Sequence, residues 1–546
     1  MEQLKAPAIK KSWIYRSLFL LVLVSVFAYC SKKAIVDPVS NEGVGGNTGS
    51  LESNGIPLKN MFGVNGYEWN IEQNPNDVND NTRVYEPKWA LIKGFGSFRH
   101  YMDWEKLEQT QGKYTFNPTH SGGWFYDVMY QRGKQDSVLM LADLKTVPGW
   151  FLNAYYPADQ RDNEDTPAPY TSDKSNPSSY LLQAKVAFQF AARYGSNAAI
   201  DRSLMSIDAS QRWTGDEINE IKVGLNYVKY IECDNERDKW WKGAKAQQTA
   251  QEYAANMSAF YDGNKGKMGK GVGVKSADPN MLVVMGGLAH PDVQYVKDMV
   301  EWCRANRGYR ADGSVDLCFD VINYHYYSNN ASLDIKSVAT KAMAPELSIG
   351  GKVADDFVAL GKTLHLPVWV TESSYDTQSS SPQGAFVIGN RSIMQTQADW
   401  TLRTSLMYAR HGVERVFYFQ MYDDAPGGGW TYQTSGLVND NNTRRIVADY
   451  MLQVSKIMGN YAYNSTISAD PLVDRYVYGN KVFYALMIPD QMGRTGTYTL
   501  DLGNASQAAV YTLKDGAADA VKTVMNTTGG KLTLTVTETP VFVQPL

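Results

Sequence analysis

The feature that most constrains this chain is a regular alternation of two patterns between about residues 57 and 460. Short apolar runs rich in β-branched and aromatic residues alternate with longer stretches whose apolar residues recur every three to four positions. Leu182, Val186, Phe190 and Tyr194 have this helical spacing. Strands that alternate with helices form a parallel sheet, and eight repeats predict an α/β fold of the (β/α)8 TIM barrel type. The predicted strands are Met61–Gly66, Gly96–His100, Ser137–Ala142, Tyr227–Glu232, Met281–Gly286, Phe319–His325, Pro367–Thr371 and Arg415–Gln420.

The pattern changes after about residue 461. The remaining apolar runs are short, are separated by Gly, Asn or Asp turns and show no helical period. This is typical of an all-β sandwich. We expect this domain to pack against the barrel; a sugar-binding role is the alternative. Its predicted strands are Arg475–Tyr478, Val482–Ile488, Thr497–Leu502, Ala509–Leu513, Lys531–Val536 and Val541–Gln544.

The first 29 residues have the composition of an export signal. Basic residues precede an apolar run at 17–29 (SLFLLVLVSVFAY), which is too short to span a membrane comfortably and fits a signal peptide. The run ends at Cys30, as in bacterial lipoprotein signals, in which the cysteine becomes the lipidated N-terminus. Tyr29 departs from the small residue usual before that cysteine. We expect a membrane-anchored lipoprotein, periplasmic or at the cell surface; ordinary secretion and a retained anchor helix are the alternatives.

The stretch after the signal is rich in Gly, Asn and Ser and has few apolar residues. Such a composition predicts a flexible tether rather than a folded element. The predicted organisation is therefore a signal peptide at 1–29, a linker at 30–56, a catalytic barrel at 57–460 and a β-sandwich at 461–546.

Charge and cysteine content restrict the classes of partner and scaffold. The formal charge is −4, and loss of the leader, with four basic residues and one acidic residue, leaves −7. We expect no nucleic-acid partner, because such proteins carry a basic face. Highly anionic glycans are also disfavoured, although Lys145 and Lys239 supply local positive charge. Four cysteines cannot form a disulfide scaffold. Cys303 is expected to be a buried thiol, and a bond to Cys318 is the alternative.

Polar residues follow several predicted strands, at the end of the barrel where active sites of this fold are built. Each has an ordinary structural explanation: a solvated loop carboxylate, half-buried packing or a structural ion pair. Their joint occurrence at one end of the barrel favours a catalytic site. They are Arg99 on the second strand, Asn235 and Glu236 after the fourth, His325 and Tyr327 at the end of the sixth, and Glu372 after the seventh.

In these motifs the chain resembles the clan of retaining glycoside hydrolases on (β/α)8 barrels, clan A, which includes family 39 and family 5 enzymes. In that clan an Asn-Glu pair follows the fourth strand and a Glu follows the seventh strand. The sixth strand provides a His-x-Tyr motif, and the second strand provides an Arg. The stretch from Trp104 to Pro118 is similar to the sequence that follows that Arg in the clan. The terminal β-sandwich is similar to the additional domain of several clan families. The resemblance covers about residues 57 to 546.

The resemblance implies a double-displacement mechanism. Glu372 is expected to be the nucleophile and Glu236 the acid/base, with carboxyl groups about 5–5.5 Å apart. Arg99 and Tyr327 are expected to keep the nucleophile ionised and aimed. No step of this mechanism needs a metal or an organic cofactor.

Further residues are expected to bind substrate. By the same resemblance, Asn235 would hydrogen-bond the sugar 2-hydroxyl, and His325 would contact the substrate or support the site. Trp241 and Trp430 lie in predicted loops beyond the strands, where aromatic rings offer flat apolar faces to sugar C–H groups. The eighth strand, FYFQMYDD, lacks the tryptophan that clan members usually place under the reacting sugar. Trp430 is the expected substitute.

The sequence therefore predicts a retaining β-glycoside hydrolase whose partner is a β-linked glycan and which reaches a membrane only through its N-terminal lipid. The alternative is a non-catalytic glycan-binding lipoprotein on the same barrel, against which the presence of both Glu236 and Glu372 argues. A phosphate-handling barrel enzyme would need a glycine-rich phosphate loop, and the glycines at 427–429 lack the helix-start context. A structural surface protein would need internal repeats, which the sequence lacks.

Overall fold

The computed structural model describes residues 52–77, 83–424 and 430–546 of the chain. The signal peptide, Cys30 and most of the predicted linker lie outside the described residues, so lipidation and export stay predictions. The described residues belong to one compact unit. No helix among them is long and apolar enough to cross a membrane.

Eight parallel strands form the first part of the fold and confirm the predicted barrel. Their order around the barrel is β5-β4-β3-β2-β1-β8-β7-β6. Parallel bridges between Val284 and Val321 and between Leu288 and Tyr324 join β5 to β6 and close it. The strands are β1 (Gly63–Gly66), β2 (Ser97–Asp103), β3 (Leu139–Lys145), β4 (Tyr230–Cys233), β5 (Leu282–Met285), β6 (Ile322–His325), β7 (Val368–Glu372) and β8 (Arg415–Tyr418).

Helices occupy the connections, and their ends carry ordinary sequence signals. Ser392 and Gln395 form a capping box at the start of the longest helix, and Gly412 ends it at a φ of 82°. The helices are α1 (Glu86–Phe95), α2 (Trp104–Leu107), α3 (Tyr126–Gln135), α4 (Gly149–Tyr155), α5 (Leu181–Tyr194), α6 (Ala250–Asp262), α7 (Val274–Ala277), α8 (Val293–Asn306), α9 (Gly350–Leu364), α10 (Ile393–His411) and α11 (Ile446–Met458).

The C-terminal part is the predicted β-sandwich. A six-stranded antiparallel sheet of order β14-β13-β16-β11-β10-β9 packs on the pair β12-β15. Leu486 and Val510 of the larger sheet share a core with Leu500 and Leu534 of the smaller one. The strands are β9 (Ala462–Ala469), β10 (Leu472–Tyr478), β11 (Lys481–Met487), β12 (Gly496–Asp501), β13 (Gln507–Thr512), β14 (Val521–Asn526), β15 (Lys531–Val536) and β16 (Val541–Pro545).

The sequence pattern did not predict the two edge strands of the larger sheet, β9 and β14. Every side chain of β14 is exposed, and β9 buries little beyond Ala462. An edge strand that faces solvent on both sides has no apolar alternation, because its stability comes from backbone pairing with one neighbour.

The thiols of Cys303 and Cys318 are both buried and free, with their sulfur atoms 3.4 Å apart. This is the buried-thiol arrangement that the sequence favoured for Cys303, and it places the second thiol beside it. Cys233 on β4 is also buried and free.

Two arginines of α10 bind residues of the sandwich through an ion pair and a hydrogen bond. Arg410 makes a bidentate ion pair with the buried Asp474 of β10, with nitrogen–oxygen distances of 2.6 and 3.0 Å. The buried Arg403 binds Glu346 of the barrel and donates to the carbonyl of Asp490 at 2.9 Å. Buried charges of this kind are stable only when they are paired.

Replacement of Arg410 by Met should destabilise the protein, because Asp474 would be left buried without its cation. We expect the free energy of unfolding to fall by about 3–5 kcal/mol, measured by urea denaturation. The matched control is Lys352→Met, which removes the cation of the exposed Lys352–Asp356 pair and should cost no more than about 1 kcal/mol. Equal, small effects of both substitutions would show that the Arg410 pair does not stabilise the interface.

Candidate active site

The side chains inside the barrel form an apolar layer with a polar layer above it. The apolar layer consists of Leu141, Tyr230, Val284, Val321, Trp369 and Phe417. Because alternate residues of a strand face the same side, the residues two positions further along face the interior nearer the C-terminal mouth. On β3, β4, β6 and β7 these are Asp143, Glu232, Asn323 and Thr371, all buried. The polar layer is therefore the floor of the mouth.

Arg99 of β2 lies at the centre of this floor and is fully buried. Its Nε and Nη2 donate to both oxygens of Glu232 at 2.7 and 3.0 Å. Nη2 also donates to Asp143 at 3.0 Å, and Nη1 donates to Asn65 and to Glu372, each at 3.1 Å. One guanidinium thus connects strands β1, β3, β4 and β7.

Two further carboxyl groups accompany Arg99, and their environments differ from that of a surface acid. Burial raises the pKa of Asp143 well above its usual range, although the charge of Arg99 opposes this shift. Glu232 also accepts from Asn323 at 2.9 Å and from the backbone of Gly287 at 3.2 Å. Neither residue was predicted from the sequence; the signal for both is a carboxyl at an inward position of an apolar strand.

Glu372 at the end of β7 is surrounded by donors. Tyr101 donates to Oε1, Tyr327 donates to Oε2 at 2.8 Å, and Arg99 donates to Oε1. Burial alone would raise the pKa of Glu372, but the charges of His325 and Arg99 and the two tyrosine hydrogen bonds outweigh it, and the pKa is lowered. The group is therefore held as a carboxylate, as a nucleophile requires.

Glu236 reaches the same point from the loop after β4. Its backbone is left-handed, with a φ of 52°, and its N–H donates to the carbonyl of Gly287 at 3.1 Å. Its Oε1 lies 2.9 Å from Nδ1 of His325. A Cβ on Gly287 would lie only 2.0 Å from the His325 ring, so a residue without a side chain is needed for this arrangement.

His325 connects the two carboxyl groups. Its Nδ1 is 3.5 Å from Oε2 of Glu372, and its Nε2 is 3.0 Å from the hydroxyl of Thr371. An oxygen of Glu236 lies within 4.8 Å of an oxygen of Glu372. The carboxylate of Glu372 and the hydrogen bond to Glu236 overcome burial and raise the pKa of His325.

Asn235 precedes Glu236 and lines the open space above the floor. Its Oδ1 accepts from Nη2 of Arg99 at 2.8 Å. No hydrogen bond joins its Nδ2 to any residue in the described part of the chain. The Nδ2 donor is thus the part of this side chain left for a ligand.

The floor opens into a cleft of about 780 Å³ whose wall is strongly aromatic. Trp240 and Trp241 pack edge to face after β4, with ring centroids 4.9 Å apart, and Trp430 lies in the loop after β8. Trp241 and Trp430 are 51% and 74% exposed. Both therefore offer ring faces to a ligand in the cleft.

Four more aromatic residues line the cleft and were not identified from the sequence: Tyr67, Tyr101, Phe419 and Tyr432. Phe419 directly follows β8, where the resemblance expects a tryptophan. Tyr432 packs on Tyr327, with ring centroids 4.6 Å apart. The Phe419 ring packs on that of Tyr101, with centroids 6.1 Å apart, so an aromatic ring does follow β8 beside a residue that binds Glu372.

All eight residues predicted for the site lie at this end of the barrel. Six line the cleft: Asn235, Glu236, Trp241, Tyr327, Glu372 and Trp430. Arg99 and His325 are buried behind it and act on the carboxyl groups rather than on the open space.

Among the described residues, Glu236, His325 and Glu372 also form the one acidic or histidine group whose donor atoms are close enough to hold a metal ion. Both nitrogens of His325 already have protein partners, and Glu372 already pairs with Arg99. A cation here would face the guanidinium, so the arrangement favours proton transfer between the carboxyl groups and a ligand.

No protein-family model and no curated protein matches this chain. Solved structures do resemble it. A family 39 glycoside hydrolase from the gut symbiont Bacteroides cellulosilyticus WH2 superposes with a TM-score of 0.58 and 15% identity, over 90% of this chain and 82% of the other. A family 44 xyloglucanase from Paenibacillus polymyxa, solved with xyloglucan, superposes with a TM-score of 0.50 and 13% identity, over 91% of this chain and 98% of the other. At these identities the similarity establishes the fold alone.

Proposed function

We propose that this protein is a retaining glycoside hydrolase that cleaves β-linked oligo- or polysaccharides, with Glu372 as nucleophile and Glu236 as acid/base. The observation that carries the proposal is the approach of these two carboxylates to within 4.8 Å at the mouth of the barrel. Retaining enzymes hold their carboxyl groups about 5–5.5 Å apart, whereas inverting enzymes need about 6.5–9.5 Å for a water molecule.

In the first step, the Glu372 carboxylate attacks the anomeric carbon and the glycosidic C–O bond breaks. Glu236 gives its proton to the departing oxygen, so that the leaving group is a neutral alcohol. The products are a glycosyl ester on Glu372 and an ionised Glu236. Tyr101, Tyr327 and Arg99 aim the nucleophile from three sides.

In the second step, water takes the place of the alcohol. Glu236 removes a proton from the water, whose oxygen attacks the anomeric carbon, and the ester bond to Glu372 breaks. Two inversions give net retention, and both carboxyl groups return to their starting states. His325 stays within reach of both groups and balances the negative charge as the proton moves.

Asn235 supplies binding energy that increases as the reaction proceeds. Its Oδ1 is fixed by Arg99, so its Nδ2 is aimed at the position where the 2-hydroxyl of the reacting sugar would lie. Hydrogen bonds to that hydroxyl strengthen as charge develops at the anomeric carbon. Trp241 and Trp430 extend the contact to neighbouring sugars.

The fold supports this substrate class. This chain shares its fold with the family 39 glycoside hydrolase and the xyloglucanase described above. The exposed tryptophans along the cleft fit a chain of sugars, because their rings present apolar faces beside polar neighbours.

Both carboxyl groups should be essential for hydrolysis of the best substrate in a panel of β-linked glycans and aryl β-glycosides. Glu236→Gln removes the proton donor and should lower kcat by about 10²–10⁴-fold; Glu372→Gln removes the nucleophile and should lower it at least as much. Near-full activity of Glu372→Gln would show that the site is assigned wrongly. Binding of a glycan with no turnover in the wild type would favour the glycan-binding lipoprotein.

Azide separates the two roles. With Glu372→Ala, azide should restore cleavage of an activated aryl β-glycoside and give the α-glycosyl azide, because it attacks the substrate directly. With Glu236→Ala it should give the β-glycosyl azide, because it attacks the glycosyl-enzyme. The opposite pair of products would exchange the two assignments.

The acidic limb of the pH profile should depend on Tyr327. Loss of its hydroxyl in Tyr327→Phe removes a donor to the ionised Glu372 and raises the pKa of that group. Because Glu372 must be ionised to attack, the acidic limb of kcat/KM should move to higher pH by about one unit. Tyr326→Phe, at the neighbouring position away from the cleft, should leave the limb in place. A limb that stays fixed or moves to lower pH in Tyr327→Phe would contradict the role given to this hydroxyl.

A further inference from the structure

The lysines of the cleft are all paired with carboxylates. Nζ of Lys145 lies 2.7 Å from Oδ1 of Asp103, and Nζ of Lys239 lies 3.3 Å from Glu164. Nζ of Lys242 lies 3.3 Å from Asp162. The sequence indicated local positive charge at Lys145 and Lys239. In the structure, the neighbouring carboxylates neutralise this charge.

The described lining of the cleft carries no excess of positive charge. Its described lining contains the cationic side chains of Lys145, Arg237, Lys239 and Lys242. The same lining contains the carboxyl groups of Glu164, Asp234, Glu236, Glu372 and Asp424. Asp103 and Asp162 add negative charge from just behind two of the lysines. An anionic ligand would find each lysine of the described lining already paired, and the ionised Glu372 would repel it.

Lys145 is connected to the reacting position through Tyr101. It ends β3, and its Nζ lies 5.5 Å from the ring centroid of Tyr101, whose hydroxyl donates to Glu372. Asp103 also accepts from the hydroxyl of Thr146 at 3.1 Å, so its carboxylate is fixed against the lysine. Burial works against the ammonium, but the Asp103 carboxylate outweighs it and raises the pKa of Lys145. The positive charge of Lys145 is thus offset by the Asp103 carboxylate beside it.

We infer that the cleft selects neutral sugars over uronic acids at the cleaved position, and that Asp103 is a specificity-determining residue because it neutralises Lys145. This inference rests on the proposed glycosidase function. A uronate carboxylate beside Tyr101 would meet a lysine already bound by Asp103 and the carboxylate of Glu372. A neutral sugar would find in the same pair a donor and an acceptor for its hydroxyls.

The test compares matched aryl β-glycosides that differ only in a C6 hydroxymethyl or carboxylate group, such as the glucoside and the glucuronide, and the corresponding galacto pair. Wild type should cleave the neutral member with a kcat/KM at least about 100-fold higher. Asp103→Asn frees Lys145 without a change in shape and should narrow this ratio by at least about tenfold. Asp162→Asn makes the same change of net charge at Lys242, which keeps Glu164 as a partner at 3.5 Å, and should leave the ratio unchanged.

Two results would overturn the inference: a wild type that prefers the uronide, or an Asp162→Asn variant that changes the ratio as much as Asp103→Asn does. Failure of the proposed hydrolase function can be distinguished from failure of the charge selection by a binding measurement. Calorimetry would compare the affinities of the wild type for neutral oligosaccharides and for their uronate counterparts. Tighter binding of the neutral series without cleavage of any glycan would overturn the hydrolase and support the charge selection. Tighter binding of the uronate series would overturn the charge selection.

Discussion

The interaction on which the site depends is the set of hydrogen bonds made by the buried guanidinium of Arg99. It holds Glu232, Asp143, Asn235 and Glu372 in fixed positions across the floor of the barrel. A buried charge is tolerated only when it is paired and hydrogen-bonded, and the same condition applies to the carboxyl groups around it. The cation and the acids therefore require one another, and the fold supplies them together.

In the proposed mechanism, this arrangement prepares two carboxyl groups for different tasks before any substrate binds. Glu372 is held ionised by Arg99, Tyr101 and Tyr327, whereas Glu236 comes from a loop and has His325 as its partner. Fixed donors around a reacting group need no reorganisation during the reaction. The apolar layer beneath and the aromatic cleft above separate this polar floor from bulk water on most sides.

Much of the architecture could be predicted from the sequence, because parallel strands buried on both faces read as apolar runs and all end at the same side of the barrel. That rule alone predicted that Arg99, Glu236 and Glu372 lie at the same end of the barrel. The supporting residues were harder to find. Glu232 lies inside an apolar strand, where only its inward register gives it a role. The ion pair of Asp103 with Lys145 joins two strands, and one sequence contains no signal for it.

The most direct test of the account is to trap the intermediate that it requires. A 2-deoxy-2-fluoro β-glycoside with a good leaving group, built on the sugar that is cleaved best in the substrate panel, should inactivate the protein and add one fluoroglycosyl group. Mass mapping of a proteolytic digest should place that group on the peptide that contains Glu372, as an ester. A label on Glu236 or Glu232, or rapid hydrolysis with inversion and no adduct, would contradict the proposed mechanism.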